Sequence, residues 1–323
     1  MKPRLLVITP VKHINGVPDK LEAFFDVCYM DDPSLDEILP LIHDFDAIFT
    51  NPNKSKIFIG NKLLDLARNL KVICTASTGT NHIDIDYAEM KGIKVLSLTE
   101  EREIINKISS TAEHAFALTL ASLRNIIISY NDVLKGRWDY EKFIGRQMDG
   151  LTIGVIGFGR LGNLYSNYCK ALGSKVLAYD PYMKISQNGV KQVKNFSELI
   201  TNSDVISFHV HVTKETKNMV NNDWFTIMKP NVLLINTSRG EIINEENLIS
   251  FLEKNRKARI ATDVISDEIR NRKNNLLLNY AKSSQQVVIT PHIGGMTKEA
   301  QEIAYNHAVK MLKNYLGKDY QKR

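Results

Sequence analysis

The chain has 323 residues, of which 43% are hydrophobic and 24% charged, an ordinary composition for a folded globular protein of about two domains. The net charge of +6 is scattered along the sequence, so we expect no nucleic-acid partner. The three cysteines lack metal-ligand spacing, so we expect no disulfide framework and no metal site. Without a long apolar run, the sequence predicts no membrane partner and favours the cytoplasm.

The first hundred residues alternate short β-branched runs with segments that suit helices, such as 61–68 and 85–91. This alternation predicts parallel strands joined by crossover helices. The predicted strands are 5–8, 47–50, 72–75 and 95–98.

A long apolar-periodic segment follows and predicts one helix over residues 110–136. Ser110 and Glu113 have the spacing of a capping box at its start, and Gly136 stands at its end. We therefore place a domain boundary just before this segment, between residues 104 and 105.

A second alternating series begins after Gly150 and predicts a doubly wound parallel sheet. Its six predicted strands are 152–156, 175–179, 205–208, 232–236, 260–263 and 287–290. A final helix is predicted over 297–316, ending at Gly317.

Three glycines follow the first strand of this second series and precede a helix. Gly157 permits a tight turn, Gly159 lets backbone approach a pyrophosphate, and Gly162 allows close packing of helix and strand. Asp180 ends the next strand, where a carboxylate accepts hydrogen bonds from a ribose and repels a 2′-phosphate. The pattern predicts a dinucleotide site that prefers NAD to NADP.

Side chains suited to hydride chemistry follow the later strands of the same series. Arg239 comes after the strand ending near residue 236, Asp263 and Glu268 after the next, and His292 after the last. Ligands bind at the carboxyl ends of strands in α/β sheets, so these residues are candidates for a substrate site.

The chain resembles the D-isomer-specific 2-hydroxyacid dehydrogenase family over nearly its whole length. Within that family its motif sequences are most similar to those of the phosphoglycerate dehydrogenases. The matching stretches are TGTNHID from Thr78, STAEHAFAL from Ser110, GFGRLG from Gly157, SDVISFHVHVTKET from Ser203, NTSRGEIINEENL from Asn236, ATDVISDE from Ala261 and TPHIGG from Thr290.

This resemblance implies an α/β fold of two Rossmann-like or flavodoxin-like domains, with cofactor and substrate in the cleft between them. Residues 1–104 and 292–323 would form the substrate-binding domain, and residues 105–291 the NAD-binding domain. A homodimer is implied as well, because the family dimerises through the region of the long helix. The implied activity is NAD-dependent hydride transfer between nicotinamide and a D-2-hydroxy or 2-keto acid, with a 3-phosphoglycerate-like acid as a candidate substrate.

The family pattern places three catalytic residues on this sequence, namely Arg239, Glu268 and His292. A guanidinium binds a carboxylate or carbonyl oxygen through paired charge-assisted hydrogen bonds. Imidazole suits the exchange of a proton with the substrate hydroxyl, and a neighbouring carboxylate favours its charged form.

Further contacts are implied by the same resemblance. The cofactor set is Gly157, Gly159, Arg160, Leu161, Gly162, Asp180, His209, Thr237, Ser238, Asp263 and Gly294. The substrate set is Ser77, Thr78, Gly79, Lys54 and Arg239. For His209 we leave cofactor contact and simple packing equally open, and for Thr237 and Ser238 cofactor contact and simple turn chemistry after a strand. Lys54 has the alternative of an ordinary surface lysine.

Two departures from the family pattern stand near the site, where Ile269 and His211 replace the usual prolines. Formate dehydrogenases of the superfamily carry glutamine at the position of Glu268, which argues against formate. The alternative function is an NAD(H)-sensing corepressor, a binding protein on the same fold.

Overall fold

The computed structural model describes residues 2–52, 57–269 and 271–320, with side chains described as far as residue 317. The chain divides into two compact units. The first comprises the described residues up to Ile108 together with those from Gly295 onward, and the second is Ser109–Gly294. His292, which the sequence assigned to the same domain as the last helix, lies in the second unit because its backbone N–H donates to the Asp263 carbonyl.

Parallel strands form the centre of each unit. They are β1 (Arg4–Val7), β2 (Asp26–Tyr29), β3 (Ala47–Thr50), β4 (Val72–Thr75), β5 (Lys94–Leu96), β6 (Thr152–Ile156), β7 (Lys175–Tyr179), β8 (Val190–Gln192), β9 (Val205–Phe208), β10 (Leu233–Asn236), β11 (Arg259–Thr262) and β12 (Val287–Ile289).

Helices connect the strands. They are α1 (Val17–Phe24), α2 (Leu35–Ile38), α3 (Asn61–Leu64), α4 (Ile85–Met90), α5 (Arg102–Ile105), α6 (Ser110–Leu123), α7 (Ile126–Leu134), α8 (Arg160–Ala171), α9 (Phe196–Asn202), α10 (Asn222–Ile227), α11 (Glu245–Lys254), α12 (Leu276–Ala281) and α13 (Lys298–Tyr320). Short 3-10 turns lie at Ile42–Asp44, Tyr140–Phe143, Gly240–Ile242 and Arg272–Asn274.

The first unit is built on a parallel sheet of order β2-β1-β3-β4-β5. Successive residues of β1 enter different hydrophobic cores: Leu5 and Val7 join one, and Leu6 joins the other, together with Ile8 just after the strand. A strand buried on both faces reads as a continuous apolar run, which is why the sequence located β1 so closely.

The second unit is built on a parallel sheet of order β12-β11-β10-β9-β6-β7-β8. The strand order reverses around β6, whose neighbours are β7 on one side and β9 on the other. Ligands of doubly wound sheets bind at such a reversal, outside the carboxyl ends of the strands. The predicted α/β class with doubly wound parallel sheets is confirmed.

Two strands were missed from the sequence, and both lie at sheet edges. β2 begins with Asp26 and is partly exposed, and β8 is a three-residue strand that includes Lys191. An edge strand has less of its surface buried, so it lacks the strong apolar signal of a central strand.

The predicted single helix over 110–136 is wrong, because α6 and α7 are separated at Asn125, whose backbone is left-handed with φ 58°. The predicted capping box is also wrong. Ser109, not Ser110, precedes the helix, and its hydroxyl donates to the Glu113 carboxylate. At the other end of the chain, α13 continues past Gly317 instead of stopping there.

Candidate active site

Three neighbouring strands of the second unit deliver the candidate catalytic side chains. The strands β10, β11 and β12 lie side by side, and Arg239, Glu268 and His292 follow them in that order. Because all three strands are parallel, the loops that follow them leave from the same edge of the sheet.

Glu268 and His292 form a close pair. Oε1 of Glu268 lies 2.6 Å from Nδ1 of His292, and the two side chains are only 16% and 19% exposed. A carboxylate at Nδ1 fixes the orientation of the ring and directs Nε2 away from that carboxylate. The pair is therefore arranged for an imidazole that exchanges a proton through Nε2.

Asp263 holds the backbone that carries His292. Its carboxylate accepts hydrogen bonds from the N–H groups of Ile293 and Gly294, at 2.9 and 2.7 Å, and from the Thr290 hydroxyl at 2.5 Å. The His292 backbone is left-handed at φ 55°, so it needs support from its surroundings. Burial opposes ionisation of Asp263, but these bonds together with His114 outweigh it and lower the pKa of the carboxyl.

Arg239 lies in a turn organised by Asn236. The Asn236 side chain donates to the Arg239 carbonyl at 2.9 Å and accepts from the Ser238 N–H at 3.0 Å, and the Arg239 guanidinium donates to the Ser238 carbonyl at 2.6 Å. Burial lowers the pKa of Arg239, although the carboxylates of Glu268 and Glu241 oppose this shift. The guanidinium remains a cation and is partly buried, so its attraction for an anion is stronger than in bulk water.

The glycine loop leaves space where a dinucleotide phosphate needs it. Gly157 has φ 85°, and a Cβ there would lie 2.5 Å from the His209 carbonyl oxygen. A Cβ on Gly162 would lie 2.1 Å from the Gly157 oxygen, whereas one on Gly159 would meet no atom within 4 Å. The fold therefore requires glycine at positions 157 and 162. Gly159 instead leaves open space in front of the first turn of α8.

The residues around this open space fit a bound dinucleotide. The helix α8 begins at Arg160 without a side-chain cap, so its first amides, including those of Leu161 and Gly162, face the loop. Burial lowers the pKa of Arg160. Among the described residues, the buried Thr237 hydroxyl has no hydrogen-bond partner, as expected of a group awaiting a ligand.

Asp180 lies directly after β7, next to the glycine loop. Its two carboxylate oxygens accept from the Phe158 N–H at 2.8 Å and the Tyr182 N–H at 2.9 Å. One carboxylate thus joins the glycine loop to the end of β7, and its remaining lone pairs suit a ribose hydroxyl.

Two other residues of the predicted cofactor set have internal partners. The Ser238 hydroxyl donates to the Phe208 carbonyl at 2.7 Å. His209 has Nε2 2.9 Å from the Ser207 hydroxyl, and its ring centroid lies 5.1 Å from that of Tyr165. Burial lowers the pKa of His209 to about 3, so its ring is neutral at ordinary pH.

The predicted substrate loop belongs to the first unit and follows β4. The Ser77 hydroxyl donates to the Gly79 carbonyl at 2.6 Å, and the Thr99 hydroxyl donates to the Thr78 carbonyl at 2.9 Å. These bonds hold the loop backbone in one conformation. Lys54 lies outside the described residues.

Several residues that organise the site were not among the predicted site residues. Asn236 shapes the turn of Arg239, His114 contacts both Thr290 and Asp263, and Glu241 and Glu245 lie beside the loop of Glu268. Only Asn236 had a local signal, since an Asn after a strand often forms such a turn. The others act across long sequence separations, which a single sequence does not reveal.

In the described residues, no cluster of three or more His, Cys, Asp or Glu side chains could hold a metal ion. Among the described helices, none combines the length and the apolar character needed to cross a bilayer.

Comparison with known proteins extends the description. The model of the D-isomer specific 2-hydroxyacid dehydrogenase NAD binding domain matches residues 116–294, more than half of the chain. D-3-phosphoglycerate dehydrogenase of Archaeoglobus fulgidus is 38% identical over 83% of this chain and 49% of its own length. The enzyme of the same name from Synechocystis is 33% identical over 82% of this chain and 46% of its own.

Among solved structures, D-lactate dehydrogenase from Aquifex aeolicus, complexed with NAD and lactic acid, matches with a TM-score of 0.82. It is 29% identical, and the match covers 98% of this chain and 96% of that one. The chain spans about half the length of the curated relatives described above.

The chain belongs to the D-isomer specific 2-hydroxyacid dehydrogenase family. Residues 116–294, which lie in the second unit, match the NAD binding domain of that family, so the family expected from the motifs and NAD as the cofactor are both confirmed.

Proposed function

We propose that this protein is an NAD-dependent oxidoreductase that interconverts a D-2-hydroxy acid and the corresponding 2-keto acid. The observation that carries the proposal is the 2.6 Å pair of Glu268 and His292, with the partly buried Arg239 cation on the loop that follows the neighbouring strand β10. An anion-binding group next to a proton donor is what the reduction of a keto acid requires.

Each of the three residues has a distinct task. Arg239 binds the carboxylate or the carbonyl oxygen of the substrate and attracts the negative charge that develops there. His292 gives a proton from Nε2 to that oxygen during reduction and takes it back during oxidation. Glu268 keeps the ring in place through Nδ1, so that Nε2 faces away from the carboxylate.

The residues proposed to bind the cofactor follow β6 and β7 on one side of the strand-order reversal and β9 to β12 on the other. NAD, when bound, accepts or supplies the hydride. The amides at the start of α8 and the open space at Gly159 receive its phosphates, and Asp180 accepts from its ribose. The proposed set of cofactor-binding residues is completed by Thr237, Ser238, His209, Asp263 and Gly294.

The first unit is proposed as the substrate-binding domain. Its loop at Ser77, Thr78 and Gly79 offers backbone amides for the substrate carboxylate, in a backbone already fixed by side-chain hydrogen bonds. A 3-phosphoglycerate-like acid is the candidate substrate, since the relatives from Archaeoglobus and Synechocystis are named for that reaction. Lys54 stays a proposed contact for the distal anion.

A panel assay tests the proposal. NADH oxidation is followed with purified protein against 2-keto acids of different length and charge, including pyruvate, oxaloacetate and 3-phosphohydroxypyruvate. We expect turnover of at least one keto acid and its loss in His292→Gln and Arg239→Gln. Tight NADH binding without turnover across the panel would instead identify the NAD(H)-sensing corepressor alternative.

We also propose a homodimer that resides in the cytoplasm. The helix α7 and the segment that follows it expose a continuous series of large apolar side chains, and such a surface on a globular protein marks an interaction site. The exposed members are Ile126, Ile127, Tyr130, Val133, Leu134, Trp138, Tyr140 and Ile144. Sedimentation at micromolar concentration should give a dimer that Leu134→Lys converts to a monomer, and a monomeric wild type would contradict the proposal.

A further inference from the structure

Glu245 gathers several hydrogen bonds from the loop that carries Glu268. Oε1 of Glu245 accepts from the Ser266 N–H at 2.9 Å, and Oε2 lies 3.4 Å from the Leu277 N–H. The Asn275 amide donates to both carboxylate oxygens, at 2.9 and 2.8 Å. One side chain at the start of α11 therefore holds both ends of the segment 266–277.

Asn275 completes this attachment from inside the loop. Its amide nitrogen also donates to the Ser266 carbonyl at 3.1 Å, and its side-chain oxygen accepts from the Leu278 N–H at 2.8 Å, which caps α12. Only 6% of Asn275 is exposed. Both polar groups of the Ser266 backbone are thus fixed by the Glu245–Asn275 pair.

The residue after Ser266 controls the direction in which Glu268 leaves the backbone. Asp267 is left-handed at φ 51°, and its N–H lies 3.3 Å from the Glu241 carboxylate. A left-handed residue other than glycine needs neighbours that hold it, although Asp tolerates this conformation better than most. Glu268 follows at once and reaches His292 at 2.6 Å.

We propose that Glu245 is a positioning residue for the Glu268–His292 pair. Its carboxylate fixes Ser266, the fixed backbone at Ser266 sustains the turn at Asp267, and that turn places the Glu268 carboxylate against His292. The role requires an acceptor at both oxygens, because the Ser266 N–H is directed at Oε1, the Leu277 N–H at Oε2, and the Asn275 amide lies within hydrogen-bond distance of both. The inference rests on the proposed function, and it adds to the catalytic set a residue that contacts neither member of the pair directly.

The competing explanation is that Glu245 only stabilises α11 by its charge. Glu245 and Glu246 both lie in the first turn of that helix, where a negative charge is favourable. Glu246 is exposed and provides a matched control, since Glu246→Gln removes the same charge from the same turn. A helix effect would appear in both variants, and a positioning effect only in Glu245→Gln.

The first measurement compares kcat, KM and NADH affinity. Misplacement of Glu268 by a fraction of an ångström should lower kcat of Glu245→Gln about 10- to 100-fold, while the Kd for NADH changes less than about twofold. Glu246→Gln should keep the wild-type kcat. Equal kcat values for the two variants would overturn the proposal.

The second measurement asks whether Glu245 acts through Glu268. In a Glu268→Gln background the pair is already broken, so adding Glu245→Gln should lower kcat less than about twofold further. A further loss as large as that in the wild-type background would mean that Glu245 acts by another route, and the proposal would fail.

A spectroscopic measurement separates this proposal from the proposed function. The imidazole Nδ1–H resonance of His292, assigned by its loss in Glu268→Gln, should be weakened or moved in Glu245→Gln and unchanged in Glu246→Gln. If no keto acid is reduced by the wild type, the proposed function fails, while this resonance still tests the positioning role. An unaltered resonance in Glu245→Gln would overturn it.

Discussion

His209 should make the stability of the protein depend on pH in a way that a single substitution removes. Its Nε2 contacts the Ser207 hydroxyl, its Nδ1 is buried and has no partner among the described residues, and burial lowers the pKa of the ring to about 3. Glutamine at this position keeps a polar group within reach of Ser207 but carries no titratable proton.

The size of the effect follows from proton linkage. Above about pH 6.5 the ring of His209 is neutral in both the folded and the unfolded chain, so its contribution to stability is fully present. Below that pH the unfolded chain binds a proton that the folded chain refuses until about pH 3. Stability is therefore lost as the pH falls through this window, by about 1.4 kcal/mol per pH unit, which amounts to about 2 kcal/mol at pH 5.

Urea unfolding at pH 7.5, 6 and 5 measures this effect. The difference in free energy of unfolding between wild type and His209→Gln should move by about 2 kcal/mol in favour of the variant as the pH falls from 7.5 to 5. As a control, Ser207→Ala removes the hydrogen bond but keeps the imidazole, so it should lose about 1 kcal/mol at every pH with the wild-type pH dependence. If the difference in free energy of unfolding between wild type and His209→Gln stays constant with pH, His209 is not the source of the pH dependence.

Three further outcomes test the site. Gly159→Ala should change the free energy of unfolding by less than about 1 kcal/mol, because its Cβ meets no atom, but should weaken NADH binding about tenfold in a fluorescence titration. Gly162→Ala, unlike Gly159→Ala, should lower the melting temperature, because its Cβ would lie 2.1 Å from the Gly157 oxygen. Equal melting temperatures for the two variants would contradict a structural role for Gly162. Arg239→Lys keeps the charge but loses the planar fork, so the KM for the keto acid should rise about tenfold while the Kd for NADH stays unchanged, and an unchanged KM would exclude Arg239 from substrate binding.

The central strands of both sheets were predictable because they are buried on two faces. β3, β4, β6, β7 and β9 have the bounds expected from their apolar runs. Edge strands and helix interruptions were not predictable in this way. β2 and β8 expose part of their surface, and the break at Asn125 depends on how its side chain meets the Phe143 carbonyl in space.

The residue types proposed for the site, and the strands they follow, can be read from the sequence. The glycine loop and Asp180 were proposed from a local pattern, and Arg239, Glu268 and His292 from family motifs at the ends of predicted strands. The distance between Glu268 and His292 could not be predicted, because they are 24 positions apart and face each other only after β11 and β12 pair.

The way in which the Glu268–His292 pair is held depends on contacts between distant segments. The left-handed backbones at Asp267 and His292 are stabilised by carboxylates from other segments, Glu245 with Glu241 for the first and Asp263 for the second. Such contacts arise when distant loops meet at one edge of a sheet, and no periodicity along the chain records them. The residue types of the proposed site can thus be read from the sequence, whereas the relative positions of their side chains are a property of the fold.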